Sequence, residues 1–106
     1  MAWIYLVIAG LFEIAWAIGL KYTEGFTRLW PSAGTVAAMI VSFLFLAESL
    51  KSIPVGTGYA VWTGIGAAGT AVMGMILFDE SRELVRILCI LAIVAAIAGL
   101  KLSSPT

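Results

Sequence analysis

The sequence predicts an all-α membrane protein of four transmembrane helices, and three observations carry that prediction. Of 106 residues, 62% are hydrophobic and only 11% are charged, with no His, Asn or Gln; soluble domains carry roughly 25% charged residues. Apart from Glu13, the charges gather at Lys21 to Arg28, Glu48 to Lys51 and Asp79 to Arg86, with Lys101 near the end. The stretches between these clusters are about 18 to 25 residues long and mostly apolar, the length that crosses a bilayer at about 1.5 Å per residue. A soluble domain this small exposes much of its surface, and six basic and six acidic side chains could not cover it. Lipid is therefore the expected solvent.

The spans are expected at roughly 3–20, 31–50, 56–78 and 85–102, in one domain that takes in residues 1–106. They are read as helices because a lone β-hairpin would leave unpaired backbone groups in hydrocarbon. An even number of spans puts both termini on one side. Within the first span, Ala15-Trp16-Ala17 has the look of a signal-peptide cleavage site. Cleavage is not expected, because no basic segment precedes it, an acid interrupts the apolar run and three further spans follow. Cys89 lies in the apolar fourth span and is expected to be a packed core thiol.

Orientation is weakly encoded. The loops after the first and third spans carry Lys21, Arg28, Arg82 and Arg86, against Lys51 and Lys101 on the other side. Four against two permits insertion in both orientations. Four short helices also enclose little volume, so a pathway for a solute is expected between two chains. In the last span, Ala92, Ala95, Ala96 and Gly99 form the small-xxx-small pairs 92/96 and 95/99 that let helices approach closely.

The chemistry centres on Glu13, about ten residues into the first span. On insertion scales a charge at the bilayer centre costs about 3 kcal/mol, so an acid there is a functional residue by default. No span holds a base at comparable depth. The missing counter-charge is expected from outside, as a cationic substrate or a proton. One helical turn places Gly10, Trp16 and Ala17 on the Glu13 face. Ser42 is the polar residue at mid-depth in the second span, while Tyr59 and Trp62 share a face of the third, with Thr63 beside them. Trp3, Tyr5, Tyr22 and Trp30 suit interfacial belts, whereas Trp16, Trp62 and Tyr59 lie deeper and are read as site-lining.

Two signals point elsewhere. Gly64-Ile65-Gly66-Ala67-Ala68-Gly69 matches a dinucleotide fingerprint letter for letter. It lacks the preceding strand, the βαβ unit and the later acid that the motif needs. Its glycines are read instead as a point where the third helix can bend. Glu48 is expected to form a solvated i, i+3 pair with Lys51. No nucleophile–base pair, metal cluster or phosphate loop is present, so an enzyme, a cofactor and a nucleic-acid partner are all unexpected.

These residues carry a family resemblance. Gly10-Leu-Phe-Glu13-Ile-Ala-Trp16-Ala-Ile-Gly-Leu-Lys21-Tyr, Gly25-Phe-Thr-Arg28-Leu-Trp-Pro31-Ser and Ile53-Pro-Val-Gly56-Thr-Gly-Tyr59-Ala-Val-Trp62-Thr-Gly-Ile-Gly66 resemble the small multidrug resistance family over essentially the whole chain. Trp16, with Ser42, resembles the subgroup that exports guanidinium. The resemblance implies an antiparallel, dual-topology homodimer in the bacterial inner membrane that exchanges guanidinium-type cations for protons. It assigns the essential carboxylate to Glu13, supporting roles to Gly10, Trp16, Ser42, Tyr59 and Trp62, and the bending glycines to Gly64 and Gly66. Gly58, where the family usually has Ala, and Glu48, where it has a neutral residue, depart from the pattern and would loosen selectivity toward larger substituted guanidines.

The chemistry of the carboxylate fits that implication. Two Glu13 side chains in one low-dielectric site do not easily both ionise, so protons and a cation compete for them. Guanidinium pairs with carboxylates in two-point fashion. Ser42 and the indole N–H groups are expected to orient the carboxylates. The competing expectations are a broad exporter of quaternary ammonium cations and one subunit of a paired heterodimeric transporter.

Overall fold

Helix ends are written into the loops. In the computed structural model, which describes residues 1–103, the chain forms α1 (Ala2–Tyr22), α2 (Leu29–Ser49), α3 (Val55–Leu77) and α4 (Leu84–Ser103). Residues 104–106 of the expected domain lie outside the described residues. All four helices are long and apolar enough to cross a membrane, and their ends fall within two residues of the expected spans.

Thr23 stops α1. Its hydroxyl donates to the Leu20 carbonyl at 2.7 Å and accepts the Phe26 N–H at 3.2 Å. Glu24, Gly25 and Phe26 then take left-handed φ values of 48°, 72° and 66°. Three such residues in a row cannot continue a right-handed helix. Pro31 sits in the first turn of α2, where a backbone N–H has no helical partner anyway. Pro54 caps α3, and Asp79, at φ 53°, turns the chain away beyond its end.

Packing is organised around α1, which lies against both α2 and α3; α4 packs mainly on α3 and reaches α1 where Lys101 lies over the Trp3 ring at 4.9 Å. Leu6, Ala9, Ile53, Val61 and Trp62 form the buried core. The buried polar side chains are Thr23, Thr35, Ser42 and Ser49, an inward placement that suits a chain with lipid outside. The assembly measures 43 × 35 × 17 Å. Helices with their side chains are about 10–12 Å across, so the helices form a thin slab rather than a closed ring.

One sequence expectation is corrected here. Cys89 is exposed rather than packed in the core. Because α4 packs mainly on α3, only one stripe is covered: Ile90 is buried, and Ile93 and Ile97 close on Gly64. Cys89 lies off that stripe. Ala92, Ala95, Ala96 and Gly99 are exposed as well, with open space where a Gly99 side chain would stand.

The two departures from the family pattern also find places. Gly58 is buried under Leu50, whose Cδ2 occupies the position of an added Cβ. Glu48 pairs with Lys51 at 3.1 Å on the exposed end of α2.

Candidate functional site

Glu13 points from α1 toward α3, and a glycine receives it. A Cβ added at Gly66 would fall on the Glu13 carboxyl carbon and Oε1, so only a bare backbone at 66 accommodates this carboxylate. Oε1 is buried and has no hydrogen-bond partner among the described residues. Such an atom in a low-dielectric site strongly favours a donor or a cation. Gly10, one turn earlier, is buried against Ile65 and brings α1 and α3 into close contact.

A cavity of about 490 Å³ runs from Glu13 toward the α3–α4 loop. Its α3 wall carries Thr63, Gly66, Thr70 and Gly74. The Thr70 hydroxyl is buried and unpartnered among the described residues. Lys21, Glu80 and Arg86 stand at the loop end. Among the described residues, no group of His, Cys, Asp and Glu could hold a metal ion.

The remaining expected site residues form a second group. The Trp62 indole N–H donates to Ser42 Oγ at 3.0 Å, and the Ser42 hydroxyl donates to the Ala9 carbonyl at 2.7 Å. Ser42 and the indole of Trp62 therefore bond to each other and to α1 backbone, not to the Glu13 carboxylate as the sequence suggested. Ser42 is wholly buried, and the two bonds tie α1, α2 and α3 together. A line of rings continues from Trp62: Phe43 at 5.6 Å and Tyr59 at 5.7 Å between centroids, with Trp16 at 6.4 Å from Phe43. Tyr59 is 57% exposed. The Trp16 indole N–H is buried and unpartnered among the described residues. Gly64 lies under Ile97 of α4, and α3 runs unbroken through it and Gly66.

Sequence reasoning missed Thr70, Phe43, Glu80 and Arg86. A signal for the first existed: Gly66, Thr70 and Gly74 recur every fourth residue, which places them on one helix face, with Thr63 beside it. No comparable pattern marks Phe43, whose role comes from its position between Trp16 and Trp62.

The Ser42 bonds make a measurable prediction. Ser42→Ala removes the donor to Ala9 and leaves the buried indole N–H of Trp62 unpaired, a loss of about 1–2 kcal/mol. Thermal unfolding of the purified protein in detergent is expected at a lower temperature, with altered Trp emission. An unchanged midpoint and spectrum would mean that these bonds do not hold Trp62.

Comparison with known proteins shows the family. The family model for the Small Multidrug Resistance protein matches residues 1–102. A guanidinium exporter of Yersinia pestis is 61% identical over 104 residues, covering 98% of this chain and 100% of the relative. Guanidinium exporters of Escherichia coli (strain K12) and Proteus vulgaris are 60% and 58% identical over the same length, covering 99% and 100% of those chains. With four membrane-length helices, a deep carboxylate and a match along almost its whole length, the chain belongs to the small multidrug resistance family.

Proposed function

We propose that this chain is a proton-coupled antiporter that exports guanidinium and small substituted guanidinium cations across the bacterial inner membrane. The observation that carries the reading is the Glu13 carboxylate, seated on Gly66 at one end of a cavity, with an oxygen that no described residue satisfies. The chain is a multi-pass membrane protein, not an enzyme, and its relatives bear the name guanidinium exporter.

Guanidinium is planar and offers only donors. One edge meets a carboxylate in two-point fashion, and the remaining N–H groups need neutral acceptors. The hydroxyls of Thr63 and Thr70 on the cavity wall can supply them. A quaternary ammonium ion has no N–H and gains nothing from either. Tyr59, Trp62 and Trp16 stand off that wall; in the dimer their rings would add aromatic surface along the cation's path, and Ser42 acts by holding Trp62 in place.

The working unit in this proposal is an antiparallel, dual-topology homodimer that brings two Glu13 carboxylates together. A 17 Å slab of helices supports it, as does the bare α4 face of Ala92, Ala95, Ala96 and Gly99. Protons and the cation compete for the paired carboxylates. If only an occupied site reorients, exchange follows without a cofactor. Gly64 and Gly66 would serve as the pivot, because one lies under Ile97 of α4 and the other receives Glu13.

The test is proton movement in liposomes that hold only this protein. Guanidinium and a monosubstituted guanidine are expected to drive it, and tetraethylammonium is not. A response to tetraethylammonium would move the chain to the quaternary ammonium exporters. Silence toward all three would point to a subunit that needs a second, related chain.

A further inference from the structure

The loop end of the Glu13 cavity holds a second carboxylate, and its partner is itself a guanidinium. Arg86 Nη2 donates to Glu80 Oε1 at 2.8 Å. The two side chains are 33% and 44% exposed. Both line the same cavity as Glu13.

Glu80 is placed there by backbone rather than by chance. Asp79 takes a left-handed φ of 53°, which folds the chain back toward α3. The Glu80 N–H then donates to the Gly74 carbonyl at 3.3 Å. The Glu80 carboxylate rests on Gly74, where any added Cβ would overlap it. The arrangement repeats the one at Glu13, where a glycine of the same helix face receives the carboxylate. Gly66 and Gly74 are eight residues apart, or ~12 Å along the helix, with Thr70 midway.

We propose that Glu80 is an entry site at which a transported guanidinium displaces the side chain of Arg86 before it moves past Thr70 to Glu13. The Arg86 bond is suited to displacement. It engages Glu80 through a single N–H, whereas a free guanidinium can present a two-point fork. A partly exposed pair of this kind is also weak enough to exchange. Displaced Arg86 keeps an acceptor in the Ala71 carbonyl, now 3.4 Å away. Lys21 does not compete for Glu80, because its ammonium lies over the Phe78 ring at 4.8 Å. In an antiparallel dimer, one such mouth would face each side of the membrane.

The inference rests on guanidinium being the transported cation, and one experiment separates the two claims. Initial rates of guanidinium-driven proton movement are measured in liposomes for the native protein, Glu80→Gln and Arg86→Gln. Glu80→Gln is expected to raise KM about threefold to fivefold with the maximal rate kept, and Arg86→Gln to lower KM by a similar factor. A general loss of structure would impair both variants, so the opposite signs identify competition for Glu80. If Glu80→Gln does not yield folded protein, Arg86→Gln carries the test alone. An active native protein with KM unchanged in both variants, or raised in Arg86→Gln, overturns the entry site and leaves the transport reading standing. Native vesicles that ignore guanidinium overturn both.

Discussion

Glu13→Gln is expected to abolish guanidinium-coupled proton movement, with rates in liposomes falling to those of protein-free vesicles. The substitution preserves the shape of the side chain and its fit against Gly66. It removes the charge that attracts the cation and the oxygen that takes up the proton, so both ligands of the exchange lose their site together. No other acid stands at this depth: Glu24, Glu48, Asp79, Glu80 and Glu83 all lie outside the helices or at their ends. No residual coupling is therefore expected. Folding should persist, because a neutral amide is no costlier in lipid than a carboxylate. Retention of exchange by a folded Glu13→Gln variant would rule out the proposed mechanism.

The second large effect is expected at Gly66, a position that carries no chemistry of its own. Gly66→Ala places a methyl group on the Glu13 carboxyl. The carboxyl is the free end of a flexible side chain, so it can swing aside at small cost. Helix propensity favours Ala over Gly by about 1 kcal/mol. The variant should therefore fold at least as well as the native protein and lose transport by about tenfold or more, since displacement by about 1 Å can cost two orders of magnitude. Gly10→Ala is the contrasting case. Its methyl would lie 2.8 Å from Ile65 Cβ, an atom fixed beside the backbone of α3 and part of a stiff, branched side chain. There the cost falls on packing of α1 against α3, and the melting temperature in detergent should drop. Equal stability losses in the two variants would mean that Gly66 serves packing alone.

The two glycines show what kind of information the sequence carries. Gly10 stands out as a small residue one turn from the deep acid, whereas Gly66 reads only as a bending point. Which atoms each one faces cannot be read from spacing, because facing depends on how far one helix is rotated against the next. The same limit applies to Ser42 and Trp62. Their depth is legible along the spans, and both belong to the centre of the protein. That they bond to each other and to Ala9, leaving the Glu13 oxygen unsatisfied, is a property of three helices meeting at one point.

By itself, the sequence determined that the chain spans a membrane four times, where the spans begin and end to within two residues, and that Glu13 is the one acid deep within a span. Those conclusions need only composition, charge placement and the length of a bilayer, which act on each segment separately. The tertiary structure decided the rest. It turned Cys89 outward, since α4 packs mainly on α3 and covers one stripe. It separated the aromatic line of Trp16, Phe43, Trp62 and Tyr59 from the cavity wall of Thr63, Gly66, Thr70 and Gly74. It also brought Glu80 and Arg86 to the mouth of that cavity through a turn at Asp79. The physical reason is common to all of these. Lipid sorts helices by overall apolarity and is nearly indifferent to which apolar face is turned inward, so small steric fits and single hydrogen bonds between helices choose the neighbours.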